Sequence, residues 1–598
     1  MSIINDLNIC VATANGTGSA SANNLLFKSI FKMGIPCSSK NMFPSNIQGL
    51  PTWYQVRANG DGYCARKDVI DVMVTFNEAT VQEDIHKVRS GGIILYDNTT
   101  PFPEELIRDG VTYFGIPANL LVKDKVKAGP LRIKQRNMIY VGALAALFGI
   151  EMSVIAEVLN DTFGNKPQVI ESNQACIQSG YDYVKEHNYT HDVGTLEPIP
   201  NGNRNKIITE GNTACALGSI FGGVTVVSWY PITPSTSLAD AVEHYLPKLR
   251  MGTDGKPTFA VIQAEDEIAS AGMVVGAGWA GARAMTTTSG PGLSLMNEMV
   301  GLSYFGEVPA VFIIVQRGGP STGLPTRTQQ ADLLSMYNCS HGDTKHPVLI
   351  PHDMCSCFEM SQVSFNLAER LQSPVFVATD LDLGMNLWSS PPFQMDQKPI
   401  HRGNVLSSDE LRQKQGEFLR FFDEDGDGVA SRTIPGNSCD NAGYFTSGAL
   451  QDSAGKRSED NLVYKETLDR LRQKLETARD EIPPPIIETS PDANTGIISF
   501  GSSYEAVREA RDRMSHTGLP TNHLLLRALP LRKEVEEFIK SNSIIYLVEQ
   551  NRDGQMMSIF RDEYPELCTK ICSVRIYDGL PVSAGEVVDI INRFRELN

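Results

Sequence analysis

Apolar residues fall into short runs divided by glycine turns and by amphipathic stretches with helical spacing, and this alternation recurs along the whole chain. Residues 7–13 (LNICVAT) are a β-like run. The turn Asn15-Gly16-Thr17-Gly18-Ser19 follows, and then a helical pattern, SANNLLFKSIFKMG. Residues 69–76 and 92–96 predict buried strands, residues 139–158 one or two packed helices, and residues 172–193 a polar and aromatic tail. The stretch PIPNGNR at 198–204 marks a first boundary. Beyond it the small-residue helices GNTACALGSIFGG and IASAGMVVGAGWAGA alternate with the strands VTVVSWYP, TFAVIQAE, AMTTTSGPG and PAVFIIVQRGGP. Such alternation predicts a mostly parallel, doubly wound sheet. Residues 390–460, rich in Gly, Asp, Ser and Pro, predict an irregular arm, and residues 458–482 a charged helix. A last α/β region opens with the strand GIISFGSS at about 494. The expected architecture is therefore α/β with three doubly wound domains.

Composition narrows the function. Of 598 residues, 41% are hydrophobic and 21% charged, ordinary values for a globular protein. A net charge of -17 argues against a general nucleic-acid surface. No apolar run is long enough to span a bilayer and the first residues lack a secretory pattern, so a cytoplasmic location is expected, with no membrane partner. The eleven cysteines, at 10, 37, 64, 176, 215, 339, 355, 357, 439, 568 and 572, include no CxxC pair, and the expectation is reduced, structural thiols with no metal ligand set.

Four stretches carry candidate chemistry. In Trp229-Tyr230-Pro231-Ile232-Thr233-Pro234-Ser235-Thr236-Ser237, two prolines stiffen the end of a strand. This is either a rigid cap for the next helix, with Ser235, Thr236 and Ser237 capping it, or a preset Thr233 hydroxyl at the ligand-binding edge of the sheet. In Gln263-Ala264-Glu265-Asp266-Glu267, acids precede a helix. They either complement its dipole or supply a carboxylate in an apolar setting able to exchange a proton. Thr288-Ser289-Gly290-Pro291-Gly292 is a glycine turn after a strand. Arg317 follows an apolar strand and is flanked by glycines and hydroxyls, Thr326 among them. A buried guanidinium needs an anion, which is either an internal acid or a substrate carboxylate. Two further motifs are discounted. The 423–428 run DEDGDG has Ile434 where an EF-hand has its bidentate glutamate, and the Gly16/Gly18 turn lacks the third glycine of a dinucleotide site.

In order and spacing, GNTACALGSIFGG, YPITPSTS, QAEDEIASAG, GAGWAGARAMTTTSGPGLSLMNE, EVPAVFIIVQRGGPSTGLPT, GSSYEAVREA and VEQNRDGQM resemble the α subunit of 2-oxoacid:ferredoxin oxidoreductases in the form with the γ domain fused in front. Residues 1–195 resemble the γ domain more loosely, and their turn reads NGTGSA where the family has GxGGxG. The resemblance implies a γ-like domain at 1–195, a thiamine-diphosphate pyrimidine-side domain at 200–390, an arm at 391–482 and a transketolase C-terminal-like domain at 490–598. It implies that Glu267, with Glu265 as the neighbouring alternative, hydrogen-bonds the aminopyrimidine and promotes loss of the C2 proton. Tyr230, Pro231, Ile232 and Thr233 would line the cofactor; Thr233, Arg317 and Thr326 would bind the 2-oxoacid. No diphosphate–magnesium motif and no iron–sulfur ligand run is present. The resemblance places Mg2+ and a 4Fe–4S cluster on a β subunit, with coenzyme A as co-substrate, ferredoxin as acceptor and an (αβ)2 assembly. Its expected substrate is 2-oxoglutarate, with pyruvate or branched 2-oxoacids as alternatives. A non-catalytic scaffold and a stand-alone dinucleotide-dependent oxidoreductase are the readings of another class.

Overall fold

The first sheet is laid down by strands whose residues are nearly all buried, the signature of a sheet covered on both faces. In the computed structural model, which describes residues 3–44, 49–127, 129–396, 398–414 and 418–597, the chain forms two compact units. Unit 1, mainly residues 1–208, contains β1 (Asp6–Ala14), β2 (Cys37–Met42), β3 (Pro51–Asn59), β4 (Ile70–Thr75), β5 (Val88–Asp97) and β6 (Thr112–Ile116) in the order β2-β3-β1-β4-β5-β6. β1, β4, β5 and β6 run parallel, and β3 is antiparallel to both of its neighbours.

Four helices of unit 1 are α1 (Ser19–Lys32), α2 (Gly129–Phe148), α3 (Met152–Phe163) and α4 (Pro167–Glu186). The 139–158 segment is thus two helices, divided at Gly149, whose φ is +80°. The polar tail expected at 172–193 is instead mostly helix α4. It buries only Asn173, Cys176, Ile177, Gly180 and Val184 along one stripe, so its polar majority hid the period. Its partner is α2, and the two backbones touch at a pair of glycines. A Cβ on Gly142 would lie 1.8 Å from the Ile177 carbonyl oxygen, and one on Gly180 2.0 Å from that of Ile139. The Gly18 turn has the same kind of cause: φ is +81° and the Lys134 carbonyl lies 2.7 Å from where a Cβ would sit.

Unit 2 begins with α5 (Gly211–Phe221), β7 (Val226–Trp229), α6 (Thr236–Leu249), β8 (Ala260–Gln263), α7 (Glu267–Trp279), β9 (Ala284–Thr288), α8 (Gly290–Phe305), β10 (Ala310–Gln316), β11 (Val348–Leu349), α9 (Met354–Leu371) and β12 (Pro374–Asp380). These strands are parallel, with the fully buried β10 and β12 at the centre and β8 at an edge. Apart from one short helix at Ser408–Gln413, the arm is irregular until α10 (Asn461–Glu481). α10 docks through charge: Arg470 and Lys474 both pair with the fully buried Glu307, which they hold well below the ordinary glutamate range against the opposing effect of burial. In the acidic turn, Asp423 accepts from the Gly426 and Gly428 amides, and Asp427 pairs with Arg370 at 2.7 Å.

The last region contains β13 (Ile486–Glu488), β14 (Thr495–Phe500), β15 (Asn522–Leu526), β16 (Ala528–Leu529), β17 (Ile544–Glu549), α11 (Gln555–Glu563) and β18 (Ile571–Arg575). Five of these strands form the sheet β13-β15-β14-β17-β18. The sixth, β16, instead pairs antiparallel with β11 and extends the middle sheet, so the two sheets of unit 2 share one hydrophobic core.

Buried histidines make this core sensitive to acid. His346 packs edge-on to the rings of Tyr304 and Phe376, and its Nε2 bonds the Cys339 carbonyl. Burial pushes its pKa down from 6.5 to about 4. Unfolding frees the ring to bind a proton below 6.5, so stability held above that pH is lost as pH falls toward 4. From pH 7 to pH 5 the loss from this residue is about 2 kcal/mol. Denaturant titrations at the two pH values check it: a His346→Gln variant, whatever its stability at pH 7, loses about 2 kcal/mol less over the interval.

Candidate active site

The candidate residues of the sequence collect at the carboxyl edge of the middle sheet, where β7, β8, β9 and β10 end. The loop after β7 is tied down locally. Asn212 Nδ2 donates to the Pro234 carbonyl and to Ser237 Oγ, both at 2.8 Å. The Ser-Thr-Ser capping expected here does not occur. Ser235 is the N-cap of α6 but makes no side-chain cap bond, and its hydroxyl meets Thr287 Oγ1 at 2.9 Å instead. The Thr236 hydroxyl accepts from the Ile232 amide. Pro231 is exposed, whereas Tyr230, Ile232 and Thr233 are half-buried at the lip of the sheet.

Two acids after β8 part company. Asp266 is the N-cap of α7 and accepts from the Ala269 amide at 2.7 Å. That leaves Glu265 exposed and Glu267, the first helical residue, only 7% exposed. Among the described residues nothing donates a hydrogen bond to the Glu267 carboxylate. Beside it the first turn of α8 contains Gly292, where a Cβ would lie 2.0 Å from Thr288 Oγ1 and 2.8 Å from Glu267 Cγ. The Thr288 and Ser289 hydroxyls are buried and also unpartnered. Ile262 of β8, Ile268 and Met273 of α7 and Leu295 of α8 are exposed. An orphaned buried acid, two orphaned hydroxyls and a glycine cradle fit the pyrimidine side of a thiamine cofactor.

On the other flank of the α8 N-terminus lies Arg317, 7% exposed. Its Nη1 donates to the Thr233 carbonyl at 2.6 Å and its Nη2 to that of Thr322 at 3.4 Å, while Nε has no partner. The loop that carries it is closed by the Leu324 amide on the Gly318 carbonyl and the Gly318 amide on the Arg327 carbonyl. Thr326 is buried in that loop, and its hydroxyl faces Arg327 Nη1 at 3.4 Å. Thr233 and Arg317 are therefore in direct contact, and Glu267 is reached from them across the first turn of α8. Arg317 opens into a cleft of about 530 Å3 that also takes in Gly290, Asp332, Asn551 and Tyr577. A larger cavity of about 730 Å3 lies within unit 1, between Lys28, Pro198 and Arg204, and contains none of the candidate residues. Of the candidate residues, Arg317 lines the smaller cleft, while Glu267, Thr233 and Thr326 are not among its lining residues.

Sequence reasoning missed what holds this cleft. The VEQNRDGQM stretch, matched but assigned no role, is a clasp on residues 330–334. Gln330 donates to Asp380 and its amide to the Gln550 carbonyl. Asn551 Nδ2 donates to the Gln330 carbonyl, Gln555 Nε2 to the Ala331 carbonyl, and the Leu334 amide to Gln555 Oε1. Asp332, set between these bonds, carried no sequence signal beyond being an acid near Arg317. Among the described residues there is no group of histidines, cysteines and acids able to hold a metal, no disulfide joins the cysteines, and no helix is long and apolar enough to cross a membrane.

Comparison with known proteins identifies the family. Residues 218–402 match the family described as Pyruvate flavodoxin/ferredoxin oxidoreductase, thiamine diP-bdg, and residues 8–183 match Pyruvate ferredoxin/flavodoxin oxidoreductase. The chain is 30% identical to the 2-oxoacid:ferredoxin oxidoreductase 1 subunit alpha of Sulfurisphaera tokodaii, over 83% of this chain and 84% of that one. It is 32% identical to the 2-oxoglutarate synthase subunit KorA of Methanothermobacter thermautotrophicus, over 65% of this chain and 98% of that one. The structure of a 2-oxoglutarate:ferredoxin oxidoreductase from Magnetococcus marinus, with 2-oxoglutarate, coenzyme A and succinyl-CoA bound, superposes with a TM-score of 0.88 at 30% identity, covering 99% of both chains. With these likenesses, one of them covering 99% of it, the chain belongs to the 2-oxoacid:ferredoxin oxidoreductases, as an alpha subunit of that family of oxidoreductases.

Proposed function

We propose that this subunit activates thiamine diphosphate in an enzyme converting 2-oxoglutarate and coenzyme A to succinyl-CoA and carbon dioxide, with electrons passed to ferredoxin. The observation that carries the proposal is Glu267, a carboxylate nine-tenths buried with no donor among the described residues. With no protein donor, its carboxylate is left to accept a hydrogen bond from a ligand. Bound against it, thiamine diphosphate supplies a nucleophilic carbon for the 2-oxo group and an electron sink for decarboxylation. Glu267 accepts a hydrogen bond on the pyrimidine side and so biases the ring's proton distribution. The exposed apolar frame of Ile262, Ile268, Met273 and Leu295 suits cover by a second chain. In this reading that chain is the β subunit of an (αβ)2 assembly, and it holds the diphosphate, Mg2+ and the 4Fe–4S cluster.

Arg317 orients the substrate carboxylate. Its two contacts are neutral carbonyls, leaving its charge and its Nε for an incoming anion. Thr233 contributes its carbonyl to hold that guanidinium and its hydroxyl to the cofactor or substrate, and Thr326 backs the same anion. The choice of 2-oxoglutarate rests on the relatives named for it and on the Magnetococcus marinus enzyme, whose structure contains it.

In the assembled complex, Glu267→Gln is expected to lower kcat by about 10^2–10^4-fold without preventing assembly. Turnover at the wild-type rate would remove the assignment. Arg317→Gln raises KM for the 2-oxoacid by about 10^2-fold, the worth of a charge-assisted pair, in steady-state assays with a low-potential acceptor. In the same assay kcat/KM is highest for 2-oxoglutarate; a value no better than that for pyruvate or a branched 2-oxoacid sinks the substrate choice.

A further inference from the structure

Asp332 lines the Arg317 cleft, yet neither the matched motifs nor the proposed chemistry uses it. Its backbone is immobilised: the amide donates to Gln316 Oε1 at 3.0 Å, and the flanking residues are held by Gln555. The carboxylate is pressed against the α8 N-terminus, where a Cβ on Gly290 would lie 2.6 Å from one of its oxygens. It acts on Arg317 through space, as the one acid that offsets the effect of burial on the guanidinium, with no ion pair joining the two. The two charges therefore face the same 530 Å3 cleft from separate walls.

We propose that Asp332 is a positioning residue that tunes Arg317: ionised, it competes with the 2-oxoacid carboxylate for the guanidinium's field; protonated, it leaves that field to the substrate. The proposal rests on the reading that Arg317 binds the carboxylate. Burial pushes the Asp332 carboxyl up to about 6, against the downward pull of Arg317. The other titratable groups of the cleft are Arg552 and Asp553, exposed and paired with each other at 2.7 Å, and Tyr577, which is exposed; the first turn of α8 contributes none. Below pH 6 Asp332 is neutral and an anion meets an uncompensated Arg317. Above pH 6 the carboxylate is charged and the anion binds more weakly. The 2-oxoacid carboxylate beside the keto group stays ionised across this range, so its affinity follows Asp332; glutarate's second carboxyl is partly protonated at the low end, so its inhibition constant is referred to the concentration of the dianion.

The test uses the complete enzyme with its partner subunit, measuring the KM of the 2-oxoacid and the inhibition constant of glutarate, a dicarboxylate with no oxo group to react. Both constants are expected to rise roughly three- to tenfold from pH 5.5 to pH 7.5 in the wild type, the size of a screened like-charge interaction across such a cleft. In Asp332→Asn both stay flat at the wild-type low-pH value. Wild-type constants that do not rise overturn the proposal without any variant. So does an Asp332→Asn enzyme that keeps the rise, or that is flat at the high-pH value. An Arg317→Gln enzyme with unchanged KM and glutarate inhibition would instead sink the underlying assignment of Arg317, and is distinguishable from either result.

Discussion

Arg317 retains a positive charge beneath the surface, hydrogen-bonded to two backbone carbonyls. Removing an ion from water carries a penalty of several kcal/mol, which contacts with neutral dipoles recover only in part. The surrounding structure is arranged to tolerate that penalty. The Thr233 carbonyl is aimed by a proline-bounded loop that Asn212 ties down, and the arginine's own loop is closed by backbone bonds between Gly318, Leu324 and Arg327. Asp332 supplies opposite charge without an ion pair, and the buried Arg317 Nε keeps no hydrogen-bond partner. A direct internal ion pair would be more stable and would have nothing left to offer a substrate.

The first turn of α8 lies between this charge and the acid of the site. Gly290 abuts Asp332 and Gly292 abuts Glu267, so one short segment sets the distance between the anion-binding half and the cofactor half. A side chain at either position would collide with a functional oxygen or its stem. The glycines are there for proximity, and neither has a positive φ.

A second consequence concerns the last sheet. Its VEQNRDGQM stretch grips residues 330–334, and its β16 strand completes the edge of the middle sheet. The transketolase C-terminal-like region thus also shapes the wall of the cleft that contains Asp332. Hydrogen bonds to backbone carbonyls and amides do this work, so the segment being gripped needs no particular side chains, and its sequence gave no sign of the arrangement.

Periodicity and turn chemistry were enough to read the α/β class, the buried strands at β10 and β12, and the small-residue helices, because each depends on neighbours within a few positions. The proline loop, the acid run and the arginine loop were likewise legible as stretches, with the roles of their residues coming from the family resemblance. Which of those residues is buried was not. Glu265 and Glu267 are chemically alike in the chain, and only the start of α7, one residue past the Asp266 cap, turns one outward and one inward. Helix α4 escaped notice because one narrow stripe of it meets α2, and the strand exchange at β16 because a two-residue strand has no period. Asp332 is 15 positions from Arg317, outside any local pattern. Contacts between distant segments decide burial and electrostatic field, and those are set by packing, whereas local sequence sets only the element and the order in which the elements come.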